Sequence, residues 1–225
     1  MSGIFSTSIG RKLVMSLAGL FLVTFLLVHL GINLLLVFDS TREAFNIAAH
    51  FMATNPLIKI MEVVLFGGIL VHMVYAGILT VTNKKARGGV GYKIANSSQT
   101  SYFSKYMVHT AVIVGIFLVL HIYAFYIRSK FLGAAQEISI NGKHYHDMGL
   151  MVIESFKMLP VVIFYLVSFL ALGFHLHHGF QSAFQTLGIN HKSYTPFIKK
   201  LGVAYTILVT GGFILIPLYV YFTMQ

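Results

Sequence analysis

Apolar residues run almost unbroken through about 13–38, 57–82, 106–127, 160–187 and 201–222, with charges and turn-formers gathered between these runs. A helix needs roughly 20 consecutive apolar residues to cross the hydrocarbon core of a bilayer, and all five runs reach that length. The pattern predicts an all-α integral membrane protein, a five-transmembrane-helix bundle in which residues 1–225 form a single membrane domain without internal repeats. The first run exceeds the roughly 7–15 residues of a cleavable signal's apolar core, and no small-residue cleavage motif follows it. It is therefore read as the first span.

The connections carry their own signals. In "DSTREAFNIAAHFMATNP" (39–56), Ser40 followed three residues later by Glu43 is a capping-box pattern. Phe45, Ala48, Ala49 and Met52 make an apolar face, so a short surface helix ending near Asn55–Pro56 is expected. Within 129–159, Asn141-Gly142 in "ISINGKHYH" predicts a small β-hairpin, with Asp147 placed to cap a further short amphipathic segment. The stretch "NKKARGGVGYKIANSSQTS" is polar and Gly/Ser-rich, and is expected to be extended until a partner orders it.

Composition strengthens this picture: 57% of residues are hydrophobic and 10% charged. The charges also orient it. With five spans, one face holds Arg11, Lys12, Lys84, Lys85, Arg87, Lys93, Lys105, Lys192, Lys199 and Lys200 and no acid. Every acidic residue lies on the other face, among Arg42, Lys59, Arg128, Lys130, Lys143 and Lys157. Lysine and arginine mark the cytoplasmic side, so the N-terminus is expected inside and the C-terminus outside a bacterial cytoplasmic membrane. The basic face suits either anionic lipid or docked soluble subunits; no nucleic acid partner is expected. The absence of cysteine excludes disulfides, thioether-attached haem and cysteine-ligated iron–sulfur clusters within the chain. Any such cluster must belong to a partner.

Candidate chemistry comes from histidine. Five of eleven histidines lie deep in predicted spans without an acid beside them: His29, His72, His121, His175 and His177. Counted from the nearest inner charged or polar boundary, His29 is 18 residues from Arg11 and His121 is 19 from Tyr102. His72 is 11 from Asn83 and His175 is 12 from Leu187. Four helices thus offer two level-matched pairs, their levels roughly 10 Å apart at the rise of an α-helix. Paired imidazoles at one depth are what bis-histidine haem b ligation requires. Gly31, Gly68, Ala76 and Gly179 supply small residues near the ligands. Helical phase separates the histidines of "FHLHHGFQSAF": His175, His178, Gly179 and Ser182 share a stripe, whereas His177 points away towards a neighbouring helix. His178, about 4.5 Å nearer the inner face than His175, is better placed for a haem propionate than for iron. His109 and His121, 12 residues apart, are out of register and cannot serve two haems from one helix face.

"LVHLGIN", "AFNIAAHFM", "LVHMVYAGI", "LHIYAFYIR" and "FHLHHGFQSAF" closely resemble the five-helix, di-haem cytochrome b membrane anchor of succinate:quinone oxidoreductases and fumarate reductases. The likeness runs through most of the chain in order; span five and the 129–159 loop contribute little. It implies axial ligation of an outer haem by His29 and His121 and of an inner haem by His72 and His175. It also implies a flavoprotein and an iron–sulfur subunit on the cytoplasmic face, succinate–fumarate interconversion as in the tricarboxylic acid cycle, and electron passage to a quinone, menaquinone by family habit. The His177–His178 doublet is not part of that pattern. For the quinone site, Glu62 shares a stripe with His72 through 65 and 69, about 10 residues outward, with His50 and Asn33 as weaker candidates. Arg128, at i+7 from His121, could meet a propionate at the outer edge. Two other classes compete. A stand-alone ferric reductase of the cytochrome b561 kind also uses four histidines but has six spans. A cation or proton transporter calls for mid-membrane acids, and no acid here lies deeper than Glu62.

Overall fold

The computed structural model describes residues 7–87 and 106–224. Five helices are long and apolar enough to cross a membrane. They are α1 (Ser8–Phe38), α3 (Pro56–Arg87), α4 (Met107–His121 with its continuation to Lys130), α6 (Leu159–Thr186) and α7 (Thr195–Thr223). Two short helices, α2 (Glu43–Thr54) and α5 (Met148–Phe156), and a hairpin of β1 (Glu137–Ile140) with β2 (Lys143–His146) cover one end of the bundle. Three prolines open spans, at Pro56, Pro160 and Pro196, where the missing N–H would have had no helical partner.

Two boundaries differ from the hydropathy reading. α3 continues as helix through Asn83, Lys84, Lys85 and Ala86 to Arg87: these are adequate helix formers, and leaving the apolar run does not by itself end a helix. The expected extended loop beyond it, with Lys93 and Lys105, lies outside the described residues. In α4 the helix changes type after His121, and Ile122–Ile127 form a π-helical segment.

Buried side chains gather where α1, α6 and α7 meet; Leu36, Val162, Val209 and Val220 are almost fully enclosed. α3 and α4 keep most of their apolar surface exposed. That is the normal condition of helices solvated by lipid, where no hydrophobic force drives them together.

The end cap forms as the turn signals predicted, apart from one device. Asn141 and Gly142 adopt φ of 52° and 75°, so a type I′ turn closes the hairpin in the register Glu137↔His146 and Ile140↔Lys143. Asp147 caps α5, accepting from the Leu150 N–H at 2.8 Å. The Ser40–Glu43 capping box does not form. Arg42, the N-cap of α2, takes a left-handed conformation (φ 67°), and Asp39 supplies the cap by accepting from the Ala44 N–H at 2.9 Å. The turn at Arg42 aims its guanidinium across the cap to Asp147 at 3.1 Å.

Asn46, fully buried, completes this cluster by donating to Asp147 and accepting from the Gly149 N–H, each at 2.9 Å. Burial on its own would push the Asp147 carboxyl up, but the Arg42, Asn46 and Leu150 donors outweigh it and hold the carboxyl below its ordinary value. A carboxyl lowered on folding contributes stability that is complete above its unfolded value and is lost as pH falls through the folded one. Thermal unfolding of the detergent-solubilised protein is therefore expected to be level near neutrality and to lose midpoint below about pH 4. Asp147→Asn should flatten that acid limb; an unchanged limb would assign it to other groups.

Candidate cofactor-binding site

The spans set four helices around an interior. α3 packs along α1, α1 along α6, and α6 along α4. The diagonals of that arrangement, α1 to α4 and α3 to α6, are not packed neighbours, and histidine rings meet across each of them. His29 of α1 and His121 of α4 have ring centroids 5.8 Å apart at an interplanar angle of 84°. His72 of α3 and His175 of α6 lie 6.2 Å apart at 76°. A metal–imidazole bond is roughly 2 Å, and a ring nitrogen lies about 1 Å from its centroid, so two imidazoles sharing one metal have centroids about 6 Å apart. Both pairs have that spacing.

The pairs occupy different levels. The His72 ring lies against Gly19 of α1, ten residues from His29 on the same helix. Tyr165 of α6 contacts His121 and stands ten residues from His175. Both helices thus put about 15 Å between the two levels, against roughly 10 Å from boundary counting. The helices end at unequal distances past their last apolar residue, as α3 shows, so their ends do not share a height.

Three of the four rings have a polar partner in the protein. His72 donates from Nδ1 to the Met15 carbonyl at 3.2 Å, which leaves Nε2 free to ligate. His121 Nδ1 and the Tyr165 hydroxyl are hydrogen-bonded at 3.2 Å. Asn33 donates to the His29 carbonyl at 2.8 Å, with its amide 3.5 Å from the His29 Nδ1. Among the described residues, the Nδ1 of His175 is buried without a hydrogen-bond partner. A polar nitrogen unmatched in an apolar interior costs about 1–3 kcal/mol, which a cofactor rather than the protein is left to recover. Flanking aromatics, Phe25 and Phe213 at His29 and Phe117 and Phe125 at His121, make an apolar lining suited to a flat macrocycle.

The other candidates fall in several places. Half-buried His178 is one turn beyond His175, whereas His177 lines an open groove of about 400 Å³ between α6 and α7. His50 is exposed on α2 with its ring 5.0 Å from Tyr145 of the hairpin. Glu62 accepts from Tyr126 at 2.5 Å and from Lys130 Nζ at 2.6 Å, and Lys130 also donates to the Tyr126 hydroxyl at 2.8 Å. Arg128 leaves the His121 stripe. In a regular α-helix i+7 returns to the same face, but the π segment advances less per residue and swings it aside by roughly 100°. Arg128 is instead exposed over a pocket of about 280 Å³ shared with Asp147 and Glu154. Within the same segment Phe125 packs on the His121 ring with centroids 5.3 Å apart, and Tyr126 turns to Glu62 and Lys130. Of the small residues expected near the ligands, Gly31 faces open space, Gly68 faces Phe21 and Gly179 faces Met107, whereas Gly19, not among those expected, is the one whose would-be Cβ meets a ligand ring.

Comparison with known proteins agrees with this architecture. The chain is 27% identical over 186 residues to the succinate dehydrogenase cytochrome b558 subunit of Bacillus subtilis (strain 168), covering 82% of this chain and 81% of that protein. No protein-family model matches this chain, and no solved structure does. The chain is a multi-pass membrane protein of all-α, five-helix build. Met15, Gly19, Tyr126, Lys130 and Tyr165 are the site residues that sequence reasoning missed. A backbone carbonyl carries no residue signature, and Tyr165 would have been found only by asking which polar side chain of α6 shares the level of His121.

Proposed function

We propose that this chain is the cytochrome b subunit of a succinate dehydrogenase complex. It would bind two haems b and link a cytoplasmic iron–sulfur subunit, itself joined to a flavoprotein, with membrane quinone. The observation that carries the reading is the doubled histidine pair, each spaced as two imidazoles on one metal. The B. subtilis relative's name supports the cytochrome and succinate dehydrogenase parts. Bound haem would supply a one-electron iron couple at each level. The chain's own residues would do the rest: His29 with His121 and His72 with His175 would each hold one haem through imidazole nitrogens, and the Met15 carbonyl fixes the His72 ring. Near the His29–His121 level, Glu62 Oε1 can hold a proton shared with the Tyr126 hydroxyl, as quinone chemistry beside a haem edge requires. The N-terminal face carries the basic excess and is taken as cytoplasmic; menaquinone is the favoured substrate.

The experiment is a reduced-minus-oxidised visible spectrum of the purified protein with haem quantified per chain. Two b-type haems per chain, with flavin and iron co-purifying from native membranes, are expected. A chain without haem would remove the reading. Haem without flavin or non-haem iron would point to a free-standing reductase.

A further inference from the structure

The two histidine pairs are held by different means. His72 is fixed by a peptide carbonyl, which no side-chain substitution removes. His121 is fixed by the side-chain hydroxyl of Tyr165. That tyrosine is 5% exposed and its ring is boxed by Phe117, Phe156, Phe164 and Phe169, with centroids at 5.1, 4.9, 5.9 and 5.7 Å. Four phenyl contacts leave the ring no freedom, so the hydroxyl is set in space by packing before any hydrogen bond forms. Among the described residues its hydroxyl has His121 as its one hydrogen-bond partner.

We propose that Tyr165 is a positioning residue for the His29–His121 haem, its boxed hydroxyl accepting the His121 Nδ1–H so that Nε2 is the nitrogen turned to the iron. This rests on the haem reading above. A ligating histidine whose second nitrogen donates to an acceptor is a stronger electron donor, and it favours the oxidised metal. The hydroxyl therefore holds both the tautomer of His121 and the potential of one haem. The π turn fits this role. It starts at Ile122, directly after His121, and sets Phe125 against the ligand ring at 5.3 Å, while Tyr165 secures the ring from α6.

The test is Tyr165→Phe in the full chain, which keeps the ring in its box and deletes only the acceptor. Redox titration of the α-band and the low-spin haem resonance signals are the readouts. Both haems should remain, with one midpoint shifted positive, its resonance signal displaced and the other unchanged. Both midpoints unmoved with two haems bound would overturn the proposal and leave the haem reading standing; a wild-type protein without haem would instead sink that reading. Phe156→Leu is the packing control, since it loosens the box and leaves the hydroxyl. If Tyr165→Phe loses one haem, retention of both by Phe156→Leu supports the proposal. The same loss or the same shift in Phe156→Leu overturns it.

Discussion

His29→Ala is expected to eliminate one haem signal and His72→Ala the other, so that each variant falls from two haems per chain to one. Opposed ligation makes the effect large. With one axial nitrogen gone, the macrocycle is held by one bond and by its apolar contacts, and the low-spin bis-imidazole spectrum cannot form. Partners must phenocopy: His121→Ala should reproduce His29→Ala, and His175→Ala should reproduce His72→Ala, because each couple has centroids about 6 Å apart across one diagonal. The two losses should be independent, since changes separated by more than roughly 7–10 Å with no shared partner add. Heme-stained, detergent-purified variants with pyridine haemochrome quantification give the readout. If His29→Ala and His72→Ala extinguish the same band, the pairing is wrong. His177 provides the control: it shares the run "FHLHHGF" with His175 yet lines the groove between α6 and α7, so its alanine variant should keep both haems.

Much of this architecture could be read from the chain because bilayer physics is strict. Five apolar runs of sufficient length became five helices, and histidines that have no place in hydrocarbon without a partner met in pairs. The Asn141-Gly142 turn and the Asp147 cap were also legible, since positive φ and an orphan N–H call for few residue types. What escaped notice depends on tertiary placement. Asp39 displaced Ser40 as the cap of α2 because Arg42 turned left-handed and reached Asp147, more than 100 residues along the chain. The π segment has no sequence signature, yet it takes Arg128 off the stripe of His121. Counting at 100° per residue fails there, since one local change of hydrogen-bond register rotates everything that follows.

The second large effect is expected at Gly19. A Cβ at this position would lie 3.3 Å from Cε1 and 3.4 Å from Nδ1 of His72. Gly19→Ala requires the ring to yield by a few tenths of an ångström, and it should weaken haem retention at the His72–His175 level without abolishing it. Gly19→Leu has no such option: its branched end occupies the volume of the imidazole, so the ring must swing off α1 and surrender its bond to the Met15 carbonyl. Changes in the groups that orient a ligand typically cost 10–100-fold in metal affinity, and here the ligand itself is also displaced. The His29–His121 level, about 15 Å further along α1, should be untouched, leaving one haem per chain. Gly31 supplies the contrast. It lies two residues from His29 and looks in sequence like the natural spacer for that ligand, but nothing stands within 4 Å of its would-be Cβ. Gly31→Leu should therefore retain both haems, and loss of a haem from Gly31→Leu but not from Gly19→Leu would reverse the assignment of which helix face each imidazole leans on.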